Sequence, residues 1–147
     1  RGLINGLSAS HPILKGVKDI WGPTDVYTVT GLEASTNILL YGQSTSGMTA
    51  EAPLSFAKSI MPVAWTKSYL GENGKTTRIF ATTMGASMDL KSEDLRRMLI
   101  NASYWGLGME AQIVEKSNAE TVGDYTPIMF GFDKFKRGVK PSDFNLK

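Results

Sequence analysis

The stretch from Met61 to Met109 contains the pattern that most constrains the fold. Two runs rich in β-branched and aromatic residues, Val63–Tyr69 and Thr76–Thr82, predict strands. The short connection between them contains Asn73-Gly74, and both residues tolerate the positive φ of a tight hairpin turn. We therefore expect two neighbouring antiparallel strands in this stretch.

An amphipathic helix is predicted after the second of these strands. Ser92 is a suitable N-cap, and Glu93 and Asp94 would lie at the positive end of the helix dipole. Apolar residues then recur with the spacing of one buried stripe: Leu95, Met98, Leu99, Ala102 and Trp105. The polar residues of the segment fall outside this stripe: Arg96, Arg97, Asn101 and Ser103. Gly106 and Gly108 predict the end of the helix.

The remaining segments give weaker signals. Asp25–Thr30 and Asn37–Gln43 have the composition of strands, and Ser44–Pro53 has that of a polar loop. Residues 1–10 show no clear period. Residues 125–147 contain several glycines and prolines and predict an irregular tail. We expect this tail to pack on the domain through its phenylalanines: Phe130, Phe132, Phe135 and Phe144.

Length and composition limit the classes of protein to consider. The chain has 147 residues, which is one domain or less, and a net charge of +2 that favours neither a nucleic-acid nor a membrane partner. It contains no cysteine, so these residues form no disulfide and no thiolate nucleophile. One histidine without cysteine supplies too few of the usual zinc ligands, and we predict no metal and no cofactor. The cellular compartment stays open between cytoplasmic and exported.

Blocks of sequence along nearly the whole chain resemble one protein family. In the first 124 residues the blocks are His11–Gly16, Pro23–Tyr27, Pro62–Thr66, Arg78–Gly85, Arg96–Ala102 and Tyr104–Gly108. In the tail they are Gly123–Pro127, Gly131-Phe132 and Lys136–Pro141. In order and spacing, these blocks resemble the C-terminal part of a ThuA-like (trehalose-utilisation) domain from a planctomycete-type bacterial subgroup.

The resemblance implies a fold. ThuA-like proteins have an α/β fold that is flavodoxin-like, of the class I glutamine-amidotransferase type. Residues 1–124 would be the C-terminal portion of such a domain, with a mixed sheet and one main C-terminal helix, and residues 125–147 would be the tail. Apolar surface would then be left for a missing N-terminal half or for self-association.

The resemblance also implies a role in carbohydrate metabolism. One hypothesis is a hydrolase-like or isomerase-like enzyme that processes oxidised (keto) disaccharides or glycosides. The alternative is a non-catalytic carbohydrate-binding or interaction module on the same fold. The family commonly has Gly-His where this chain has Gly85-Ala86, and the loss of that imidazole favours the second hypothesis. The association with the family favours the first.

Two residues are candidates for polar chemistry. His11 could act as a general base or form a hydrogen bond with a sugar hydroxyl, or it could be a turn histidine that bonds to the backbone. Asp25 matches an acidic position of the family and could act as an acid, a base or a hydroxyl acceptor. Its structural alternative is to stabilise the preceding Gly22-Pro23 turn.

The candidates for substrate binding are Trp65 and a loop that follows the predicted strand Thr76–Thr82. Small residues in this loop would allow a ligand to approach the backbone, and we name Thr83, Gly85, Ser87 and Asp89. The alternative is a plain strand-to-helix connection in which Asp89 bonds local amides. Trp65 could stack on a sugar ring, although its place on a strand favours packing in the core.

Overall fold

Four strands form one sheet in the computed structural model, which describes residues 1–129, 131, 134–135 and 137–144. The strands, in the spatial order β1-β2-β3-β4, are β1 (Gly2–Ile4), β2 (Asn37–Gly42), β3 (Met61–Leu70) and β4 (Thr76–Thr82). One α-helix, α1 (Glu93–Gly106), follows them. Short 3-10 turns lie at Gly6–Ser8, Pro12–Leu14, Asp89–Lys91, Glu110–Gln112 and Pro141–Phe144.

The predicted hairpin is confirmed. Strands β3 and β4 are antiparallel, with Lys67 opposite Ile79 and Leu70 opposite Thr76. The backbone N–H of Gly71 donates to the carbonyl of Lys75 over 2.9 Å, and Gly74 has a φ of 72°. Because glycine adopts positive φ without a steric cost, the Asn-Gly connection determines both the turn and the register.

The observed sheet is antiparallel, so the prediction of a mixed sheet is wrong for the described residues. Strands β1 and β2, β2 and β3, and β3 and β4 all pair in antiparallel fashion. A parallel pair needs a long crossover, usually through a helix, whereas α1 comes after the last described strand. The flavodoxin-like arrangement of parallel strands is therefore not observed in the described residues.

Near the start of the chain one strand forms without a sequence signal, and one predicted strand is wrong. Gly2–Ile4 forms strand β1, with Gly2 opposite Gly42, although its sequence has no strand period. Conversely, Asp25–Thr30 forms no strand. Its Val26 side chain packs against the core while Tyr27 stays 54% exposed. The three residues of β1 take the edge of β2 because tertiary pairing, rather than local propensity, decides which segment lies there.

The predicted stripe of α1 packs against the sheet. Leu95, Met98 and Ala102 are buried, and Leu99 and Trp105 are partly buried beside them. The same cluster contains residues from two strands and from the first turns: Leu39, Leu40, Val63, Ile13 and Leu14. The helix begins as predicted, because the Ser92 hydroxyl oxygen accepts from the Leu95 amide over 3.4 Å. None of the described helices has both the length and the apolar character needed to cross a bilayer.

The buried face of α1 is wider than the apolar stripe. Asn101, predicted outside the stripe, is completely buried, and its Nδ2 donates to the carbonyls of Ile13 at 3.1 Å and Lys15 at 2.9 Å. Arg97 is buried as well, and its guanidinium pairs with Glu93 and Asp94. Asn101 occupies this flank because the Pro12–Leu14 turn and the residue after it present carbonyl groups that need donors, whereas Arg97 is held by two carboxylates of its own helix.

Two of the four phenylalanines in the tail, Phe135 and Phe144, lie within the described residues. Phe135 and Phe144 are 67% and 75% exposed, so these two side chains do not provide the predicted packing. Phe130 and Phe132 lie outside the described residues. A polar contact joins the described part of the tail to the domain, since the Tyr125 hydroxyl donates to the Ser87 carbonyl over 2.7 Å.

The Asn101 contacts generate a prediction about stability. Replacing Asn101 by Ala leaves two carbonyls without their donor, and each unsatisfied buried group costs about 1–3 kcal/mol. We expect the free energy of unfolding to fall by about 2 kcal/mol or more in urea denaturation. Ser103→Ala, an exposed change on the same helix, is the matched control and should alter it by less than about 0.5 kcal/mol. Equal effects of the two variants would contradict an anchoring role for Asn101.

Candidate functional site

A cleft of about 640 Å³ opens where β2 ends, and we name it the Asp25 cleft. One wall is the segment from Trp21 to Tyr27, and the other is formed by Ser44–Met48 together with Lys58. The Asp25 side chain is exposed to solvent, as is Lys58 on the opposite wall. The cleft therefore combines a carboxylate, an ammonium group, several hydroxyls and two aromatic rings.

Gln43 holds one wall of the Asp25 cleft in place. This residue directly follows β2 and is buried, and its Nε2 donates to the carbonyls of Ser55 and Lys58, the latter over 3.2 Å. The amide of Ser55 in turn donates to the Ser44 carbonyl over 2.8 Å. These bonds fix the loop that carries Lys58. The sequence pattern places Gln43 only in a strand, because its backbone acceptors lie in a loop that no local pattern identifies.

Asp89 holds the opposite wall, and its carboxylate is completely buried. Its Oδ2 accepts from the Thr24 hydroxyl at 2.6 Å, the Gly85 amide at 3.1 Å and the Ala86 amide at 3.2 Å. The bonds to the Gly85 and Ala86 amides agree with the alternative prediction for this loop, a plain strand-to-helix connection in which Asp89 bonds local amides. The bond to Thr24 is additional, and it joins the loop to the residue directly before Asp25.

Gly22 is required beside this carboxylate. A Cβ at this position would overlap the Oδ1 and Cγ atoms of Asp89. Asp89 Oδ1 itself has no hydrogen-bond partner among the described residues. The close approach explains why a glycine precedes Pro23 here, a reason that the Gly-Pro turn signal alone does not reveal.

The other predicted binding residues do not line the Asp25 cleft. Thr83 continues the sheet, with its amide donating to the Val63 carbonyl over 3.0 Å. The Ser87 hydroxyl lies 3.5 Å from the Ile128 carbonyl, on the side of the tail. Trp65 lies in β3, one of the two inner strands, and is half-buried opposite Ile38 and Ala81. Gly85 is connected to the cleft wall only indirectly, because its amide donates to Asp89, which holds Thr24.

His11 lines a different cleft, of about 540 Å³, which we name the His11 cleft. Its Nδ1 accepts from the Ile13 amide over 3.2 Å and caps the Pro12–Leu14 turn. This is the predicted alternative of a turn histidine that bonds to the backbone. Glu110 and Glu115 line the same cleft. No described residue lines both clefts, so His11 and Asp25 do not converge on one site.

The length of α1 explains this separation. The His11 ring packs on Trp105, in the last turn of the helix, with 5.5 Å between ring centroids. Asp25 lies beside Thr24, which is bonded to Asp89 just before the helix begins. At 1.5 Å per residue, the two helix ends are on the order of 20 Å apart. A direct hydrogen bond between the two predicted catalytic groups is therefore excluded in this structure.

Arg78 and Glu110 complete the surroundings of His11. The Arg78 guanidinium lies 5.2 Å from the centroid of the Trp105 ring, donates to the Trp105 carbonyl over 2.7 Å and pairs with Glu110. Burial lowers the pKa of His11, the positive charge of Arg78 lowers it further, and Glu110 acts in the opposite direction. A backbone hydrogen bond and Arg78 lower the pKa of Glu110. No sequence pattern identifies this cluster, because its members are distant along the chain.

Within the described ranges, His, Cys, Asp and Glu side chains form no group of three or more that could hold a metal ion. The comparisons with known proteins add no relative: no family model matches the sequence, and no curated protein and no solved structure matches it significantly. The ThuA-like resemblance therefore stays a prediction.

A first prediction from the site concerns the contact between Gly22 and Asp89. In Gly22→Ala the new methyl group must displace the buried carboxylate, and overpacking of this kind costs about 1–3 kcal/mol. We expect a matching loss in urea denaturation. Gly47→Ala is the control in the same cleft, since its Cβ would meet Ala52 at an ordinary 3.5 Å, and it should be close to neutral. A Gly22→Ala variant as stable as the control would contradict this contact.

A second prediction concerns pH. The folded-state pKa of His11 lies below the unfolded value of 6.5, so the unfolded chain binds this proton first as the pH falls. The stability that depends on neutral His11 is fully present above pH 6.5 and declines as the pH falls from there towards the lower folded-state pKa. In urea denaturation at several pH values, His11→Gln should show a smaller decline than wild type. The same decline in both proteins would contradict the lowered pKa.

Proposed function

We propose that this protein binds a carbohydrate in the Asp25 cleft, as a ThuA-like module without catalytic activity. The observation that carries the proposal is the composition of this cleft, in which Asp25 and Lys58 face a common space with Trp21 and Tyr27. Saccharides present hydroxyl groups at their edges and apolar C–H groups on the faces of their rings. Charged acceptors and donors suit the hydroxyls, and aromatic rings suit the faces.

The fixed walls support binding at this place. Asp89 holds the segment that carries Asp25, and Gln43 holds the loop that carries Lys58. A site whose polar groups are held before the ligand arrives loses less conformational entropy when it binds. In this proposal Asp89 positions the cleft wall and does not touch the sugar, because its side chain is completely buried.

The finer fold assignment belongs to the same proposal. Residues 1–124 would be the C-terminal portion of a flavodoxin-like domain, and residues 125–147 its tail. Large apolar side chains are exposed at the ends of β3 and α1, among them Leu70 and Leu107. Their exposure supports the idea that another protein surface packs against this chain. Such a surface would come from the N-terminal half of the domain or from a second copy.

The proposal is tested by titration calorimetry with a panel of disaccharides and their keto derivatives. Wild type should bind at least one sugar, and Asp25→Asn should weaken that binding by at least about 10-fold, because a hydrogen bond to a charged group is worth about 1.5–3 kcal/mol. Glu72→Gln, an exposed change in the β3–β4 hairpin, is the control and should bind like wild type. No binding, or binding that Asp25→Asn leaves unchanged, would overturn the proposal.

Enzymatic processing of an oxidised disaccharide or glycoside is the second candidate function. The observation that favours it is the His11 cleft, where an imidazole and the Glu110 carboxylate line one space and could share acid–base chemistry. The proposal of a binding module predicts that no sugar of the panel is converted to product in long incubations followed by chromatography. Conversion that His11→Ala abolishes would replace the binding module with an enzyme.

A further inference from the structure

Trp21 is shared by two neighbouring clefts. It lines the Asp25 cleft on one side, and it also lines a smaller cleft of about 300 Å³, which we name the Lys91 cleft. The other residues of the Lys91 cleft are Asp19, Ala50, Met88, Lys91 and Ser92. No sequence signal pointed to this second cleft, since its residues come from three separate parts of the chain.

Arg1 connects the two clefts in a second way. Its side chain lines the Asp25 cleft, while its guanidinium pairs with the carboxylate of Asp19 and donates to the carbonyl of Ala50. Both of these partners line the Lys91 cleft. Trp21 therefore lines both spaces, and Arg1 lines the first and is bonded to two residues of the second.

The chemistry of the Lys91 cleft resembles that of its neighbour on a smaller scale. Trp21, Ala50 and Met88 provide apolar groups, and the exposed Asp19 and Lys91 provide a carboxylate and an ammonium group at the rim. The volume of about 300 Å³ lies at the lower end of the range for small-molecule sites. A single sugar ring, or an apolar group attached to one, matches such a space.

We infer that the Asp25 and Lys91 clefts are two subsites of one extended carbohydrate site, with Trp21 as the platform between them. The inference rests on the proposed function. One sugar unit occupies the Asp25 cleft, and the next unit or an aglycone occupies the Lys91 cleft. The ligand class is accordingly a saccharide of two or more units or a glycoside, and Trp21 and Lys91 are specificity-determining residues that select it over a monosaccharide.

Lys91 offers the sharpest variant because its side chain is exposed and makes no described hydrogen bond, whereas its backbone carbonyl accepts from Arg96 over 3.0 Å. Lys91→Ala keeps that carbonyl, so the fold should be unaffected. Lys75→Ala, an exposed lysine in the β3–β4 hairpin, is the matched control. Trp21→Ala removes the platform itself and should weaken ligands of both sizes, provided that circular dichroism shows a folded protein.

The experiment measures the affinities of glucose and maltose by ligand-observed NMR and calorimetry for wild type, Lys91→Ala and Lys75→Ala. Maltose should bind wild type at least about 10-fold more tightly than glucose. Lys91→Ala should weaken maltose by about 3- to 10-fold, the worth of one net hydrogen bond, and leave glucose unchanged. Lys75→Ala should change neither affinity.

The outcomes separate the two proposals. Equal affinities for glucose and maltose, or an unchanged affinity for maltose in Lys91→Ala, would overturn the extended site while binding in the Asp25 cleft survives. Equal weakening of both sugars by Lys91→Ala would also overturn it, because Lys91 would then act on the first subsite. Absence of binding by both sugars and by the wider panel would overturn the proposed function, and the extended site with it.

Discussion

The packing of α1 against strands β2 and β3 is the interaction on which the rest of the structure depends. Leu95 and Met98 are completely buried in one cluster with Leu40 and Val63. Burial of a side chain of this size contributes about 1.5–3 kcal/mol. Once the helix is fixed on the sheet, the turn before it and the turn after it are fixed as well. Those two turns carry Asp89, which holds one wall of the Asp25 cleft, and Glu110, which lines the His11 cleft.

Asp89 shows how a buried polar group shapes the cleft wall. Removing a carboxylate from water is costly unless hydrogen bonds replace the lost solvation. Here three donors converge on Oδ2, and one of them, the Thr24 hydroxyl, is 65 residues away along the chain. This arrangement favours one placement of the 22–25 segment, because the third donor reaches Asp89 only when Thr24 lies beside it. Asp25 is exposed at the end of that segment and takes its position from Asp89.

Sequence patterns predicted those parts of the fold that depend on neighbouring residues. The hairpin follows from Asn73-Gly74, and the start of α1 follows from Ser92, because turn geometry and capping are settled within a few residues. Strand β1 and the burial of Asn101 could not be predicted, since each depends on a partner more than 30 residues distant. The same limit applies to the candidate site.

The sequence by itself determined which chemical groups are available: one imidazole, no thiol, and carboxylates among which Asp25 stands beside a Gly-Pro turn. Only the tertiary structure decided which of them meet. It placed His11 and Asp25 at opposite ends of α1, buried Asp89 as a support, and brought Trp21 between two clefts. The physical reason is that side-chain types and local turns are encoded over a few residues. The distance between two clefts is set by how a helix and a sheet bury their apolar faces against each other.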